Sequence, residues 1–475
     1  MNDPVTLPLW LFLVLLGISI LSVLDKMLLP SLRWFLRRKV DRLIDEISQR
    51  LDVQIRPFQL TQRKVLIDRL IYDPQIVAAI DHEARKTGLS RETLRAEVSV
   101  YAREIVPSFN AYLYFRVGYW AAKKIARLLY WVNVGVIEKE RLADIDPEST
   151  VVFLMNHRSN MDYILVAFLV AERTTLSYAV GEWAKIWPLQ TLIRAMGAYF
   201  VRRRSKNPLY RRVLARYVHM ATREGVCQAV FPEGGLSRDG RLGDPKYGVI
   251  NYMLRGFDPE TDRDIIFIPI GINYDRVIED RSLLRSLDPA AEKRSGWFVC
   301  KTTVGFLYKS VVLMVMSRWR RFGHACVNFG TPVSMRNYCL QNELRFRGME
   351  KAQRYAAVER LCGELMGKVR EVVPVLPIPL VATIFDRNPD ARLSAVAVKE
   401  RADRLITEIE KRGGPIFVST RSRVENVVAA LDMLQTRHLV YESDGLYQAD
   451  PQMHDILSYY ANSIADWIPA NAFHE

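Results

Sequence analysis

His157 and Asp162 stand five positions apart in the run Asn156-His157-Arg158-Ser159-Asn160-Met161-Asp162-Tyr163, directly after the apolar stretch 150–155. A base, a cation, small polar residues and a carboxylate at the end of a strand-like segment can present an imidazole at a sheet edge with an acid to orient it. On one continuous helix the two side chains would point about 140° apart and could not meet. They meet if His157 lies in a turn and the helix starts near Ser159 or Asn160, both good caps. Asp162 then sits in the first helical turn, where the dipole favours a carboxylate. It can accept the Nδ1 proton of His157 and leave Nε2 to take a proton from a substrate hydroxyl. A histidine that merely caps a helix satisfies the same spacing.

Three further clusters bear on the choice. Phe231-Pro232-Glu233-Gly234-Gly235-Leu236-Ser237-Arg238 follows a second apolar stretch. Its glycines let backbone N–H groups approach a ligand closely. Arg238, Arg241 and Lys246 are cations suited to a phosphate. The plainer alternative is a tight turn beside a solvated basic face. Gly197-Ala198-Tyr199-Phe200-Val201-Arg202-Arg203-Arg204 sets three arginines after an apolar strand, where they need solvent or an anion. Ile268-Pro269-Ile270-Gly271 reads only as a strand that turns.

The elements that must position these residues alternate. Strands are expected at 150–155, 175–180, 198–202, 227–231, 265–272 and 325–329, with helices at 186–196 and 208–223 between them. That alternation predicts an α/β core with a mixed sheet over 136–335. Residues 29–135 read as helical: Asp73-Pro74 opens one helix, and Ser90 caps another that runs to Val106 before Pro107. Within 109–136, eight aromatic residues interleave with Arg116, Lys123, Lys124 and Arg127. This pattern suits a membrane interface, or equally an aromatic core stripe with a solvated basic face; a nucleic-acid platform ranks below both. Residues 336–475 read as mostly helical, with Val373-Pro374-Val375-Leu376-Pro377-Ile378-Pro379 as an extended junction.

Bulk properties narrow the partners. The 475 residues are 49% hydrophobic and carry a net charge of +14, which points to anionic partners. The five cysteines are odd in number and widely spaced, so a disulfide framework or zinc knuckle is not expected and a reducing compartment is. Residues 5–24 hold no charge, enough to span the ~30 Å hydrocarbon layer as a helix. Asp3 precedes them and no small-residue cleavage site follows, so an uncleaved single-pass anchor over 1–28 is expected rather than a signal peptide. Lys26, Arg33, Arg37, Arg38, Lys39 and Arg42 place the C-terminal portion on the cytoplasmic side; each can also attract anionic headgroups, by ~1 kcal/mol near the surface.

In order and spacing, His157 to Asp162, Gly197 to Arg203, Phe231 to Arg238 and Ile268 to Gly271 resemble the glycerolipid acyltransferase superfamily. The details His157-Arg158-Ser159-Asn160-Met161-Asp162-Tyr163, Ser237-Arg238-Asp239-Gly240-Arg241 and Asn273-Tyr274-Asp275-Arg276-Val277 resemble its bacterial and mitochondrial glycerol-3-phosphate acyltransferase branch. So, more weakly, does Leu457-Ser458-Tyr459-Tyr460-Ala461-Asn462. The resemblance implies that His157 is the catalytic base and Asp162 its partner. It implies that Arg202, Arg203, Glu233, Gly234, Ser237 and Arg238 bind the acceptor phosphate or complete the site. The implied reaction moves an acyl group from acyl-CoA or an acyl carrier protein to the 1-hydroxyl of glycerol 3-phosphate, at a bacterial inner membrane, with membrane lipid as a partner and no cofactor.

Two positions depart from the family: Leu236 stands where arginine is usual, and Asp466 where histidine is. Leu236 keeps other readings open: acylation of dihydroxyacetone phosphate or a lysophospholipid, or an inactive membrane lipid-binding protein. No G-x-S-x-G elbow points to a hydrolase, and no docking motif points to nucleic acid.

Overall fold

In a computed structural model of the chain, which describes residues 56–136, 144–170, 175–181, 189–202, 205–287, 321–417 and 423–469, the apolar run 150–155 is a central strand of an eight-stranded sheet. In chain order the strands are β1 (Trp131–Val136), β2 (Thr150–Met155), β3 (Ser177–Val180), β4 (Tyr199–Phe200), β5 (Gln228–Val230), β6 (Ile265–Tyr274), β7 (His324–Phe329) and β8 (Val333–Ser334). Their spatial order is β1-β7-β6-β2-β5-β3-β4, with β8 also paired to β6. Strands β6, β2, β5, β3 and β4 are mutually parallel, while β7 and β8 run antiparallel to β6. The segments that leave β2, β5, β4 and β6 therefore emerge along one edge of the sheet. These are the segments that carry the polar clusters, and that edge is where open α/β sheets bind ligands.

Both faces of the sheet are covered, so its central strands are apolar throughout: every position of β6 is buried. In β2, Val152 and Leu154 join one core, and Phe153 and Met155 join the other. The first face is covered by α1 (Arg63–Ile71), α2 (Pro74–Thr87) and α3 (Arg91–Ile105). The opposite face carries α4 (Tyr119–Leu129) and α5 (Met161–Val170). α6 (Pro208–Arg223) and α7 (Gly248–Leu254) join the first group, and α8 (Asp280–Arg285) follows β6. Local chemistry sets these boundaries. Asp73 caps α2 by accepting from Gln75 N at 3.0 Å, with Pro74 in the first turn, and Ser90 caps α3 by accepting from Thr93 N at 3.1 Å.

The C-terminal part is helical with a small sheet inserted. α9 (Lys351–Val372) packs on the first face. α10 (Pro377–Arg387), α11 (Ala395–Lys411), α12 (Arg423–Thr436) and α13 (His454–Asn462) extend the second core. β9 (Leu393–Ser394), β10 (Val440–Ser443) and β11 (Leu446–Ala449) form a separate antiparallel sheet absent from the sequence reading. The expected extended junction is shorter than read. Only the residues up to Leu376 are extended; Pro377 and Pro379 fall in the first turn of α10, where a missing N–H is harmless. Gly271 is needed because the backbone of Val372, at the end of α9, lies against it: an added Cβ would overlap that carbonyl.

Residues 131–135, read as the end of a helical region, belong to the edge strand β1, which is paired in parallel with β7. In the aromatic segment before it Tyr114 and Tyr130 are buried and Phe109, Tyr112, Phe115 and Tyr119 are partly buried, while Trp120 stays 60% exposed with Lys124 Nζ 6.0 Å from its ring centroid. The four described cysteines, Cys227, Cys326, Cys339 and Cys362, are buried. The anchor expected at 5–24 lies outside the described residues; among the described residues no helix is long and apolar enough to cross a membrane.

At the end of β6, the buried carboxylate of Asp275 accepts from His324 N at 2.7 Å and Ile378 N at 3.2 Å, joining β7 and α10 to β6. Burial pushes this carboxyl up to about 7 against the pull of those two amides. In the unfolded chain it titrates near ~3.9. The folded protein holds the proton more tightly, so the stability contributed by the neutral carboxyl is lost as pH rises from about 4 to about 7, by up to about 4 kcal/mol. Asp275→Asn is expected to flatten that fall. Urea unfolding across this range checks it; an unchanged slope would contradict the assignment.

Candidate active site

α5 begins at Met161, so His157, Arg158 and Ser159 lie in the turn that enters it. Ser159 Oγ accepts from Met161 N at 3.1 Å, and Ser159 O accepts from Asp162 N at 3.0 Å, closing the first turn. Asp162 thereby points back at the turn. Its Oδ2 accepts from His157 Nδ1 at 2.9 Å, Arg158 N at 2.7 Å and Ser159 N at 3.0 Å. Its Oδ1 accepts from Tyr274 OH at 2.6 Å. Four donors and a helix N-terminus compensate a carboxylate with 0% exposure. With Nδ1–H donated to Asp162, the neutral imidazole keeps Nε2 as its acceptor, and that atom has no hydrogen bond among the described residues. Phe231 flanks the ring at 4.2 Å between centroids, and Tyr163 meets it edge-on at 5.3 Å.

The loop after β5 holds the base from the other side. Glu233 Oε1 accepts from His157 N at 2.7 Å, and its Oε2 accepts from Gly243 N at 2.8 Å. Burial raises the Glu233 carboxyl above its ordinary range, and these two bonds oppose the shift. Ser237 N donates to His157 O at 2.9 Å, and Ser237 Oγ donates to Arg241 O at 2.7 Å. Gly234, at φ 70°, makes the turn that its position demands. Lys246 N closes the loop on Pro232 O at 2.7 Å. Glu233 and Ser237, expected to bind the acceptor phosphate or complete the site, spend their polar atoms on holding His157 and the loop. The side chains of Arg238, Arg241 and Lys246 remain exposed.

Arg202 sits apart from these. Strand β4 is three strands away from β2, about 14 Å at the usual spacing. Arg202 pairs with Glu104 of α3 at 2.5 Å, and its guanidinium lies 5.2 Å from the ring centroids of both Tyr101 and Tyr210. Arg203 lies outside the described residues. Leu236 is half-buried and packs against the second core.

Sequence reasoning missed two residues. Tyr274 is a fully buried phenol whose proton is held by burial first and by the Asp162 charge second, which keeps it a donor. Glu279 Oε2 accepts from Ser159 Oγ at 2.7 Å, while its Oε1 accepts from Asn160 N at 3.2 Å and Asn160 Nδ2 at 3.1 Å. Burial raises the Glu279 carboxyl as well. The only signal in the sequence is the adjacent pair Glu279-Asp280 after an apolar strand.

With this geometry in place, comparison with known proteins is informative. Residues 133–273 match a family described as Acyltransferase, and residues 310–473 match one described as Glycerol-3-phosphate acyltransferase C-terminal region. In both parts the chain is therefore similar to acyltransferases, and in the second to glycerol-3-phosphate acyltransferases. A glycerol-3-phosphate acyltransferase of Ectopseudomonas mendocina is 29% identical over 424 residues, covering 85% of this chain and 49% of that protein. One from Pseudomonas putida is 28% identical over 380 residues, covering 77% and 43%. One from Pseudomonas aeruginosa is 25% identical over 446 residues, covering 90% and 51%. The chain therefore spans about half the length of the curated relatives it matches. A solved 1-acyl-sn-glycerophosphate (LPA) acyltransferase from Thermotoga maritima is 17% identical, covering 64% of this chain and 98% of that one; its TM-score is 0.28, too low to bear on the architecture.

Tyr274→Phe removes one charged hydrogen bond from Asp162 without opening a large cavity. Such bonds contribute ~1.5–3 kcal/mol, so a fall in kcat of about tenfold to a hundredfold is expected, with the KM for the acceptor little changed. Steady-state kinetics read the split, and an unaltered kcat would mean that Asp162 is held well enough without the phenol.

Proposed function

We propose that this chain is a glycerol-3-phosphate 1-O-acyltransferase. The observation that carries the reading is the buried His157–Asp162 pair, with Nδ1 committed and Nε2 open. The loop that holds this pair also carries the exposed cations Arg238, Arg241 and Lys246. His157 Nε2 takes the proton of the 1-hydroxyl of glycerol 3-phosphate as that oxygen attacks the carbonyl of an acyl thioester. Asp162 stabilises the imidazolium that results. When the tetrahedral intermediate collapses, the C–S bond breaks and the imidazolium returns its proton to the thiolate. The products are the acyl ester, a lysophosphatidate, and free thiol. The donor is acyl-CoA or an acyl carrier protein. The step is proton transfer and positioning, which asks for no resident metal or redox cofactor.

A membrane setting fits this reading, because the product carries an acyl tail. Residues 5–24 would anchor the chain with the catalytic part on the cytoplasmic side. One observation favours a second acceptor. Leu236 packs against apolar neighbours rather than offering a guanidinium, so dihydroxyacetone phosphate and a lysophospholipid are the acceptors to set beside glycerol 3-phosphate. An inactive lipid-binding protein would have no need of a carboxylate with four donors aimed at a histidine.

Purified protein supplied with labelled acyl thioester is expected to label lysophosphatidate from glycerol 3-phosphate in preference to the other two acceptors. His157→Ala is expected to lower kcat by about 10²–10⁴-fold. Arg238→Ala is expected to raise the KM for glycerol 3-phosphate about tenfold, the share of one charged contact. An active His157→Ala variant would end the mechanism. A wild type that labels only another acceptor would overturn the substrate.

A further inference from the structure

The helix α13 and the turn after it touch the cationic loop, the turn that carries His157 and the end of β6 with the segment after it. Asn462 Nδ2 donates to Asp239 O, in the cationic loop, at 2.9 Å. In the same loop Gly240, at φ 87°, seats on the backbone of Tyr459, where an added Cβ would overlap the carbonyl. Arg158, next to the base, sends one guanidinium nitrogen to Gly240 O and another to Ser463 O at 3.1 Å. Ser463 Oγ accepts from Asn273 Nδ2 at 3.2 Å, and Tyr460 OH accepts from Val277 N at 3.1 Å, which secures the segment after β6. Tyr460 also donates to Asp280 Oδ2 at 2.6 Å. Asp280 in turn is ion-paired with Arg437, the residue after α12.

One of these bonds, Arg158 to Ser463 O, draws on the end of the helix itself. The last carbonyls of a helix lack partners within it and carry partial negative charge. A loop cation or amide that reaches them is fixed at that height. Arg158 is 2% exposed, and among the described residues the carbonyls that meet its charge come from the cationic loop and the turn after α13. Loops at the end of a sheet are otherwise the mobile part of such a fold. The partners lie far apart in sequence, 223 positions for Asn462 with Asp239 and 305 for Arg158 with Ser463. The latch therefore exists only once the C-terminal helices have docked.

We propose that α13 and its following turn form a latch that sets the position of the cationic loop 238–246 relative to His157, with Asn462 as a positioning residue for the phosphate of the acceptor. The proposal rests on the acceptor reading above. Within the latch the members divide. Arg158 and Ser463 are buried and hold the base loop as well. Asn462 is partly exposed and bonds only the cationic loop. Its removal should therefore loosen that loop and leave the His157–Asp162 pair as it is.

The test uses the full chain with Asn462→Ala, and Asn462→Asp as a near-isosteric variant that lacks the donor. Two readouts are taken: steady-state kinetics with glycerol 3-phosphate, and backbone amide exchange. Both variants are expected to raise the KM for glycerol 3-phosphate by about threefold to tenfold, the share of one neutral hydrogen bond. The kcat and the KM for the acyl thioester should stay within about twofold of wild type, inside the non-additivity of a distant change. Amide exchange should quicken across residues 238–246 and stay unchanged across 157–163. Unchanged KM together with unchanged exchange would overturn the latch. So would a fall in kcat at constant KM, which would put Asn462 to work on the base rather than the acceptor. A wild type without transfer to glycerol 3-phosphate would instead overturn the acceptor reading, and the exchange measurement would still decide the latch.

Discussion

The carboxylate of Asp162 is the point on which the arrangement depends. A charged group with no exposure is strongly unfavourable unless its lone pairs are met, and here four donors meet them: His157 Nδ1, two backbone amides of the turn, and the Tyr274 hydroxyl. Each donor is also a constraint. The amides fix the turn, the phenol ties it to β6, and the imidazole is left with one orientation and one tautomer. Removing the carboxylate would not merely weaken one contact; it would release the backbone that presents the base.

Further bonds guard that arrangement from three sides. Glu233 and Ser237 grip the backbone of His157 from the loop after β5. Glu279 grips Ser159 and Asn160 from the segment after β6. The amide of Asn156 pairs with Ile272 through both its oxygen and its nitrogen, at 2.7 and 2.8 Å, so the strand end itself is fixed. The two apolar cores behind the sheet make this edge rigid enough for such bonds to persist. What stays exposed is a small set of cations on one loop, which is held both from the end of β5 and from the C-terminal helices.

Much of this was legible where it is local. The meeting of His157 with Asp162 followed from their spacing and from the capping residues between them, and α6 runs over 208–223 as its pattern required. The caps at Asp73 and Ser90 were read for the same reason. Long-range pairing was not legible. Nothing near Arg202 announces Glu104, which lies 98 positions away and neutralises it, and Tyr274 lies 112 positions from the carboxylate it serves. Residues 131–135 fall in the region read as helical, and their pairing with β7 makes them a strand. The prolines at 377 and 379 suggested an extended chain, yet their fixed φ suits a first helical turn equally well. Glu233 and Ser237 matched positions that bind the acceptor phosphate or complete the site, and only their long-range bonds show that their polar atoms hold backbone.

The central claim is that Asp162 acts through His157, by orienting it and stabilising its charged form, rather than by binding the acceptor. Asp162→Asn keeps the size of the side chain and removes the charge, so its steady-state kinetics with glycerol 3-phosphate test the claim most directly. The account expects kcat to fall by about 10³–10⁴-fold, the scale seen when an orienting acid is made neutral, with the KM for glycerol 3-phosphate near its wild-type value. A kcat close to wild type, or a loss confined to KM, would contradict it.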